Sequence, residues 1–405
     1  MNIQLIANKI SEVGGRLYLV GGAVRDIILG LTPKDFDYCV TGLSEEEFKN
    51  LFPEAHLRGK DFPVFDIEGT EFALARKERK IAPGHNGFSI EVNKSITIED
   101  DLARRDITIN SIAIDVLTDK IIDPFNGNED CKNKIIRATS YAFTEDPLRV
   151  YRVARFASQF GFYIDEKTYS LMKSLRDELS TLSVERVFTE FRKALLSKNP
   201  EVFFLVLRKA ECLDIHFTEI YKQIGIEQPL KYHPEGDVFN HTMEVIMRAA
   251  KQTSNELYRF AALVHDFGKI ATPKEILPHH YNHESNGDDL VREFCNRLKM
   301  PTNYKKVGIT SCREHMKAGK FYDLKASTKV DFLVKNAKTI LGLRGLEIVA
   351  NSDKEREQKI EFADLGYKML NEINGKNVHI DENNFVKLNE KIRQKRIEWI
   401  KKYCI

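Results

Sequence analysis

Two groups of residues in this chain combine types and spacings that can do chemistry. The first is Lys34-Asp35-Phe36-Asp37. On a strand, residues two apart share a face, so Asp35 and Asp37 are expected to project together while Phe36 enters the core. Paired carboxylates on one face are a platform for Mg2+, and two such ions can clamp the attacking and leaving oxygens of a phosphoryl-type transfer. Just upstream, LYLVGGAVRDIILG joins an apolar run to Gly21-Gly22 and then to Arg25. Glycines let backbone N–H groups approach a phosphate, a helix N-terminus adds favourable partial charge, and a guanidinium forks onto phosphate oxygens. Neither GxGxxG nor GxxxxGK[ST] is present, so no Rossmann or P-loop fingerprint accounts for the turn.

The second group is rich in imidazole. Seven of the 11 histidines lie between His233 and His315. NHTMEV, FAALVHDFGK and VANSDKE supply His241, His265-Asp266 and Asp353, expected on three separate helices. Mixed imidazole and carboxylate ligands suit a divalent transition metal or Mg2+. His279, His280, His283 and His315 follow nearby. Lys269 could stabilise phosphate charge.

A third motif is Glu145-Asp146-Pro147-Leu148-Arg149. With Thr144 as N-cap and Pro147 in the first turn, Asp146 and Arg149 are expected on one helix face, where they could equally form an i,i+3 ion pair. Cytosine and adenine both present an amino donor beside a ring-nitrogen acceptor. A carboxylate can accept from the first while a guanidinium donates to the second. Uracil and guanine reverse that pattern, so one Asp/Arg pair can choose C and A without a template.

The elements that must position these residues change along the chain. Up to about residue 140, strand and helix patterns alternate: Leu17–Val20, Asp35–Val40, Ile112–Val116 and Ile121-Ile122 as strands, Ala23–Leu29 as a helix ended near Gly30. From Thr144 onward the pattern is helical almost throughout. Pro124, Pro147, Pro200, Pro229 and Pro234 mark element boundaries, and Gln228–Gly236 is the candidate linker. Phe156, Phe160 and Phe162 are expected in the core. Residues 77–100 are expected to form a loop.

Composition sets outer limits. The 405 residues carry 62 Lys+Arg against 60 Asp+Glu, a net charge of +2, which excludes a globally basic nucleic-acid coat protein. No apolar stretch approaches a membrane span, and the first sixteen residues lack a signal-peptide core. Six scattered cysteines without CxxC fit free thiols in a reducing cytoplasm. Lys387–Ile405 holds seven Lys/Arg and two Glu over a partly helical apolar stripe. That segment is either a solvated basic face or an RNA-backbone contact.

Taken in order, LVGGAVRDIILG, KDFDYCVTG, Glu71–Arg76, Arg104-Arg105-Asp106-Ile107-Thr108-Ile109-Asn110 and Glu145–Arg149 resemble the class II tRNA nucleotidyltransferases, the CCA-adding enzymes. The H…HD…D pattern after them resembles an HD phosphohydrolase domain. The resemblance covers most of the chain and is weakest after about residue 355. It implies an α/β polymerase-β-like head with a mixed sheet (1–138), an all-α neck and body (139–227), an all-α HD domain (228–355) and a helical C-terminal tail (356–405). It implies Mg2+ on Asp35 and Asp37. It also implies nucleotide contacts from Gly22, Arg25, Arg105, Asp106, Glu145, Asp146, Arg149 and Arg152. A divalent metal (Mg2+, Ni2+ or Mn2+) would lie on His241, His265, Asp266 and Asp353, with His283 as a further ligand. Glu71 ranks low as a strand carboxylate, and Arg155 fits either a nucleotide contact or an ion pair. The implied activities are CCA addition to tRNA from CTP and ATP, and phosphatase or 2′,3′-cyclic phosphodiesterase action by the HD domain. The expected protein is a monomer or homodimer with no membrane partner. A poly(A) polymerase, or an HD phosphohydrolase whose head only binds RNA, are the rival readings.

Overall fold

The computed structural model describes residues 2–58, 64–80, 88–91, 93–378 and 385–404. The chain divides into two compact units. One is Met1–Leu182 with Lys209–Cys212, and the other is Ser183–Arg208 with Leu213–Ile405.

The first unit is built on a mixed sheet. Its strands are β1 (Arg16–Val20), β2 (Asp37–Thr41), β3 (His56–Arg58), β4 (Val64–Ile67), β5 (Thr70–Leu74), and, after a separate hairpin of β6 (Lys77–Lys80) and β7 (Phe88–Glu91), β8 (Ala113–Asp115) and β9 (Ile121–Ile122). The order across the sheet is β3-β4-β5-β2-β1-β8-β9. Only β2 and β5 run parallel; the other neighbours are antiparallel. Leu17 of β1, Val40 of β2, Phe65 of β4 and Phe72 of β5 share one buried core with Ile6 and Ile10 of the N-terminal helix Ile3–Glu12. The stretch expected as a loop from residue 77 to 100 holds that hairpin and the start of the helix Ile98–Ala103, which Thr97 and Asp100 close with a capping box. Residues 81–87 and 92 lie outside the described residues.

A helix from Leu148 to Phe160 follows the sheet; Phe156 and Phe162 are buried as expected, while Phe160, at the helix end, is only half-buried. Its start departs from expectation. Thr144 lies in a 3-10 segment, Tyr141–Glu145, and gives its hydroxyl to the Tyr141 carbonyl. Asp146 instead accepts from the Leu148 N–H at 3.0 Å. The reason is local: Pro147 disfavours helical backbone in the residue before it, so Asp146 stays extended and its carboxylate becomes the cap.

The second unit is all-helical. Phe191 gathers Phe203, Phe204, Phe217 and Phe294 within 6.4 Å between ring centres. A second core holds Phe321, Leu333, Leu346, Val349, Phe362 and Ile400. The helices Val238–Gln252 and Glu256–Val264 are capped by Asp237 and Asn255. Gly268 is required by packing. A Cβ there would lie 1.8 Å from the His283 carbonyl oxygen, so only glycine lets the turn after His265-Asp266 pass against the helix His283–Arg297. All six cysteines are free, and among the described residues no helix is long and apolar enough to cross a membrane.

Candidate active sites

In the first unit β1 ends at Val20, and Gly21 turns the chain with φ 73° and ψ −133°, a backbone conformation that disfavours any side chain. Val20 pairs with Asp37, the first residue of β2. The Gly21 turn and Asp37 therefore share one end of the sheet. A Cβ on Gly21 would come within 2.9 Å of Arg105 Nη1 and 4.0 Å of Asp37 Oδ2. The absent side chain is thus what lets the guanidinium and the carboxylate converge there.

Asp35 precedes the strand, and Phe36 does not enter the core: its side chain is 46% exposed. Strand pairing begins only at Asp37, so the period-two argument does not reach back to residue 35. Burial raises the Asp37 carboxyl and the charge of Asp35 raises it further, against the opposing pull of Arg105. Asp37 also pairs with Glu71 across the parallel β2–β5 register, which brings a third acidic residue to the strand position next to Asp37. The sequence ranked Glu71 low because register between distant strands cannot be read locally.

Arg105 is oriented by Asp101, a residue the sequence reading missed. Asp101 Oδ2 accepts from Arg105 at 3.1 Å, and Oδ1 accepts from Arg104 at 2.6 Å. Asp101 is buried, yet these two guanidiniums hold its carboxyl below the usual range. The i,i+4 spacing to Arg105 was the available signal.

A buried network joins the glycine turn to the following helix. Gly22 opens the helix Gly22–Ile28. Arg25, buried within it, donates to Asn110 Oδ1 at 2.7 Å and to Asp26 Oδ1, and its guanidinium lies 4.7 Å from the Phe160 ring centre. Asn110 donates to Asp106 Oδ1 at 3.1 Å, and Arg152 donates to Asp106 Oδ2 at 2.7 Å. Burial alone would raise the Asp106 carboxyl, but Arg152, Asn110 and Arg149 together hold it down to about 2. Arg149 donates to the Ala142 and Arg104 carbonyls, each at 2.6 Å. That second bond ties the Glu145–Arg149 motif to the residue preceding Arg105.

In the second unit His241 comes from the helix Val238–Gln252, His265 ends Glu256–Val264, and Asp353 ends Gly342–Asp353. Asp353 Oδ1 lies 3.1 Å from His241 Nε2 and 3.3 Å from His265 Nε2. Asp266 Oδ2 lies 3.5 Å and 3.3 Å from the same two nitrogens. On its other side Asp266 Oδ1 lies 3.5 Å from His283 Nε2 and 3.4 Å from His315 Nε2. The two clusters, His241-His265-Asp266-Asp353 and Asp266-His283-His315, share Asp266.

Every imidazole is fixed through its other nitrogen. Nδ1 of His265, His283 and His315 each lies 2.8 Å from a main-chain carbonyl, of Ala262, His280 and Cys312 respectively. A carbonyl only accepts, so each Nδ1 carries a proton and each Nε2 faces inward, where it offers a lone pair once it holds no proton of its own. His241 Nδ1 is held by Glu235 Oε1 at 2.6 Å, and His233 Nδ1 meets the same oxygen at 3.1 Å. Glu235 is a further residue the sequence did not single out.

The arrangement fits divalent cations. Asp266 Oδ1 is buried without a hydrogen-bond partner, and the donors are imidazole nitrogens and carboxylate oxygens. Without a cation, protons carry the load. Burial pushes His265 down, but Asp266 and Asp353 outweigh it and lift the ring to about 10. His241 is raised too, and both aspartates fall well below the usual range. Lys269 Nζ, buried, bridges Asp266 Oδ2 and Gln228 Oε1 at 2.6 Å each.

Comparison with known proteins follows the same division. Residues 17–137 match the poly A polymerase head domain, 161–223 the probable RNA and SrmB-binding site of polymerase A, and 238–340 the HD domain. The multifunctional CCA protein of Mannheimia succiniciproducens is 46% identical over 330 residues, 78% of each chain. That of Shewanella denitrificans is 44% identical over 327 residues, 79% of this chain and 78% of its own. A solved CCA-adding enzyme with CTP shares the fold, with a TM-score of 0.64 at 22% identity over 98% of this chain and 89% of its own. With this identity over more than three quarters of its length, the chain belongs to the multifunctional CCA protein family and is a CCA-adding nucleotidyltransferase with an HD domain.

Proposed function

We propose that the first unit adds C, C and A in turn to the 3′ end of tRNA lacking them, from CTP and ATP, without a template. The tRNA 3′-oxygen attacks the α-phosphorus in line, the new P–O bond forms, pyrophosphate leaves, and the hydroxyl proton passes to solvent. The observation that carries this is the convergence of Asp37, Arg105 and the Gly21 turn at one end of the sheet, with Glu71 in register. Two Mg2+ ions on Asp35 and Asp37 supply charge neutralisation and a polarised 3′-oxygen when bound. Gly22, Arg25 and Arg105 take the triphosphate, where pre-oriented donors meet the charge that develops on pyrophosphate. Asp106 and Arg152 hold the nucleotide end of the following helix in place. Glu145, Asp146 and Arg149 choose the base by the amino-beside-ring-nitrogen pattern of C and A. The working division is a head at 1–138, a neck and body at 139–227, an HD domain at 228–355 and a tail at 356–405, and the partners are tRNA, CTP and ATP.

We propose that the histidine centre is a phosphohydrolase acting on phosphomonoesters and 2′,3′-cyclic phosphodiesters. His241, His265, Asp266 and Asp353 would hold one divalent cation, and Asp266, His283 and His315 form a second group that could hold another. Bound there, a divalent metal supplies Lewis-acid activation of water and phosphate. The donor set of imidazole and carboxylate favours Mn2+ or Ni2+ over Mg2+. Lys269 sets Asp266 and adds positive charge behind the phosphate.

The test is a double substitution, Asp35→Ala with Asp37→Ala, in the full chain. Loss of nucleotide addition with retained phosphate release supports two independent centres. Retained addition contradicts the assignment of the head.

A further inference from the structure

The loop that leads into the paired aspartates carries an aromatic ring that the fold leaves out. It runs from Gly30 to Phe36, between the helix Gly22–Ile28 and β2, and is pinned at both ends. At one end Gly30 takes φ 69° and the Leu31 N–H donates to the Asp26 carbonyl at 2.8 Å. At the other, Asp37 enters the sheet opposite Val20. Pro33 fixes a further backbone angle between them. Phe36 is therefore held in place, yet it is 46% exposed and, among the described residues, stacks on no other ring. Its neighbour Tyr38 differs, since that ring stacks on Phe72 with 5.3 Å between centres. Lys34 is exposed in the same loop, and among the described residues its ammonium makes no ion pair, not even with the adjacent Asp35.

Position gives these two side chains a meaning. Phe36 lies one residue from both Asp35 and Asp37, its Cα about 4 Å from each of theirs. An RNA end whose 3′-oxygen reaches those carboxylates brings its terminal nucleoside to the same loop. That nucleoside is not constant. CCA addition uses three successive ends: the nucleotide before the triplet, then the first C, then the second. Hydrogen bonds to base edges would favour one base and leave polar groups unpaired against another. A stacked ring does not discriminate in this way, because every base has a π-face. An ammonium two residues upstream can meet a backbone phosphate, which is also common to every end.

We propose that Phe36 is the stacking platform for the terminal base of the RNA acceptor, and that Lys34 holds the phosphodiester behind it. The loop places the attacking 3′-oxygen in all three rounds, whichever base carries it, while Asp146 and Arg149 choose the incoming base. The proposal rests on the assignment of Asp35 and Asp37 as the metal-holding pair above. A pinned loop suits this role, because little ordering remains to oppose binding of the strand.

The experiment uses the full-length protein with Mg2+ and three acceptors: tRNA lacking its last three, last two and last one nucleotides. Phe36→Ala should lower kcat/KM for every acceptor by about 5- to 50-fold, while the KM for CTP and for ATP stays within ~2-fold. Phe36→Trp should stay within ~2-fold of wild type, and Phe36→Leu, apolar but without a ring face, should behave as Phe36→Ala. Lys34→Ala should weaken all three acceptors alike and lower the slope of log KM for tRNA against log salt by about one. Thermal unfolding reports that each variant is folded. Should Phe36→Ala unfold early, Phe36→Leu carries the test, because it keeps most of the apolar volume. Full activity of Phe36→Leu, a loss confined to one acceptor, or a KM for CTP or ATP that rises as much as that for tRNA overturns this proposal alone. Extension of the acceptors by the chain with Asp35→Ala and Asp37→Ala overturns the assignment of the aspartates beneath it.

Discussion

His283 and His315, from two different helices, face each other Nε2 to Nε2 at 3.2 Å. Both Nδ1 atoms are committed to main-chain carbonyls, so in the neutral rings two lone pairs point at one another beside the unpartnered Asp266 Oδ1. Burial and the neighbouring ring hold His283 below its ordinary value, so a proton relieves the contact poorly. A cation relieves it well. His315→Ala should lower the number of Mn2+ ions bound per chain by one and reduce phosphate release by roughly 10- to 100-fold, without touching nucleotide addition. Metal counting by elemental analysis after dialysis checks the first part. Unchanged stoichiometry would remove the second site.

His265 yields a pH prediction with a definite sign. In the metal-free protein its pKa stands at about 10, against 6.5 for an ordinary histidine, because Asp266 and Asp353 outweigh burial. The ring is therefore protonated at neutral pH, and a cation must expel that proton. Calorimetric titration with Mn2+ at pH 7.5 in buffers of different ionisation enthalpy should show about one proton released per ion at this site, and affinity should climb as pH rises. In the metal-free protein the same raised pKa stabilises the fold fully below about 6.5 and loses that contribution as pH climbs toward 10. Thermal stability of the metal-free protein should thus fall across that window, and Mn2+ should flatten the fall.

Asp106 is the hub between the glycine turn and the helix Leu148–Phe160. Its carboxylate meets Asn110, Arg152 and the Ile107 N–H from a buried position. Asp106→Ala leaves those donors without their acceptor and should cost roughly 2–4 kcal/mol of stability. Asp106→Asn, which keeps one acceptor, should cost less. With a native pKa of about 2 against 3.8 in the unfolded chain, the wild-type contribution is present above pH 3.8 and disappears as pH falls through 2. Acid unfolding followed by circular dichroism should therefore separate wild type from Asp106→Ala near neutrality and bring them together at low pH.

The sequence exposed the ends of the argument better than its middle. The Gly21-Gly22 turn, the strand beneath it and the H…HD…D set were legible because each depends on residues a few positions apart or on rare residue types. Phe36 was misplaced because the strand starts two residues later than alternation suggested. Thr144 was misplaced as a cap because Pro147 acts on the backbone of Asp146. Glu71, Asp101 and Glu235 needed the fold itself: a parallel register, a guanidinium turned back onto its own helix, and a carboxylate brought under an imidazole. Gly268 carried no visible meaning until the helix beginning at His283 lay against it.

The central claim is template-free choice of C and then A by the Asp146/Arg149 pair. The direct measurement is 3′ extension of a tRNA lacking its last three nucleotides, with Mg2+ and each nucleoside triphosphate alone and then together. The account predicts two C and one A followed by arrest, no addition from UTP or GTP, and loss of that discrimination in Asp146→Ala. A long A tail, or Asp146→Ala adding C and A with undiminished selectivity, would contradict it.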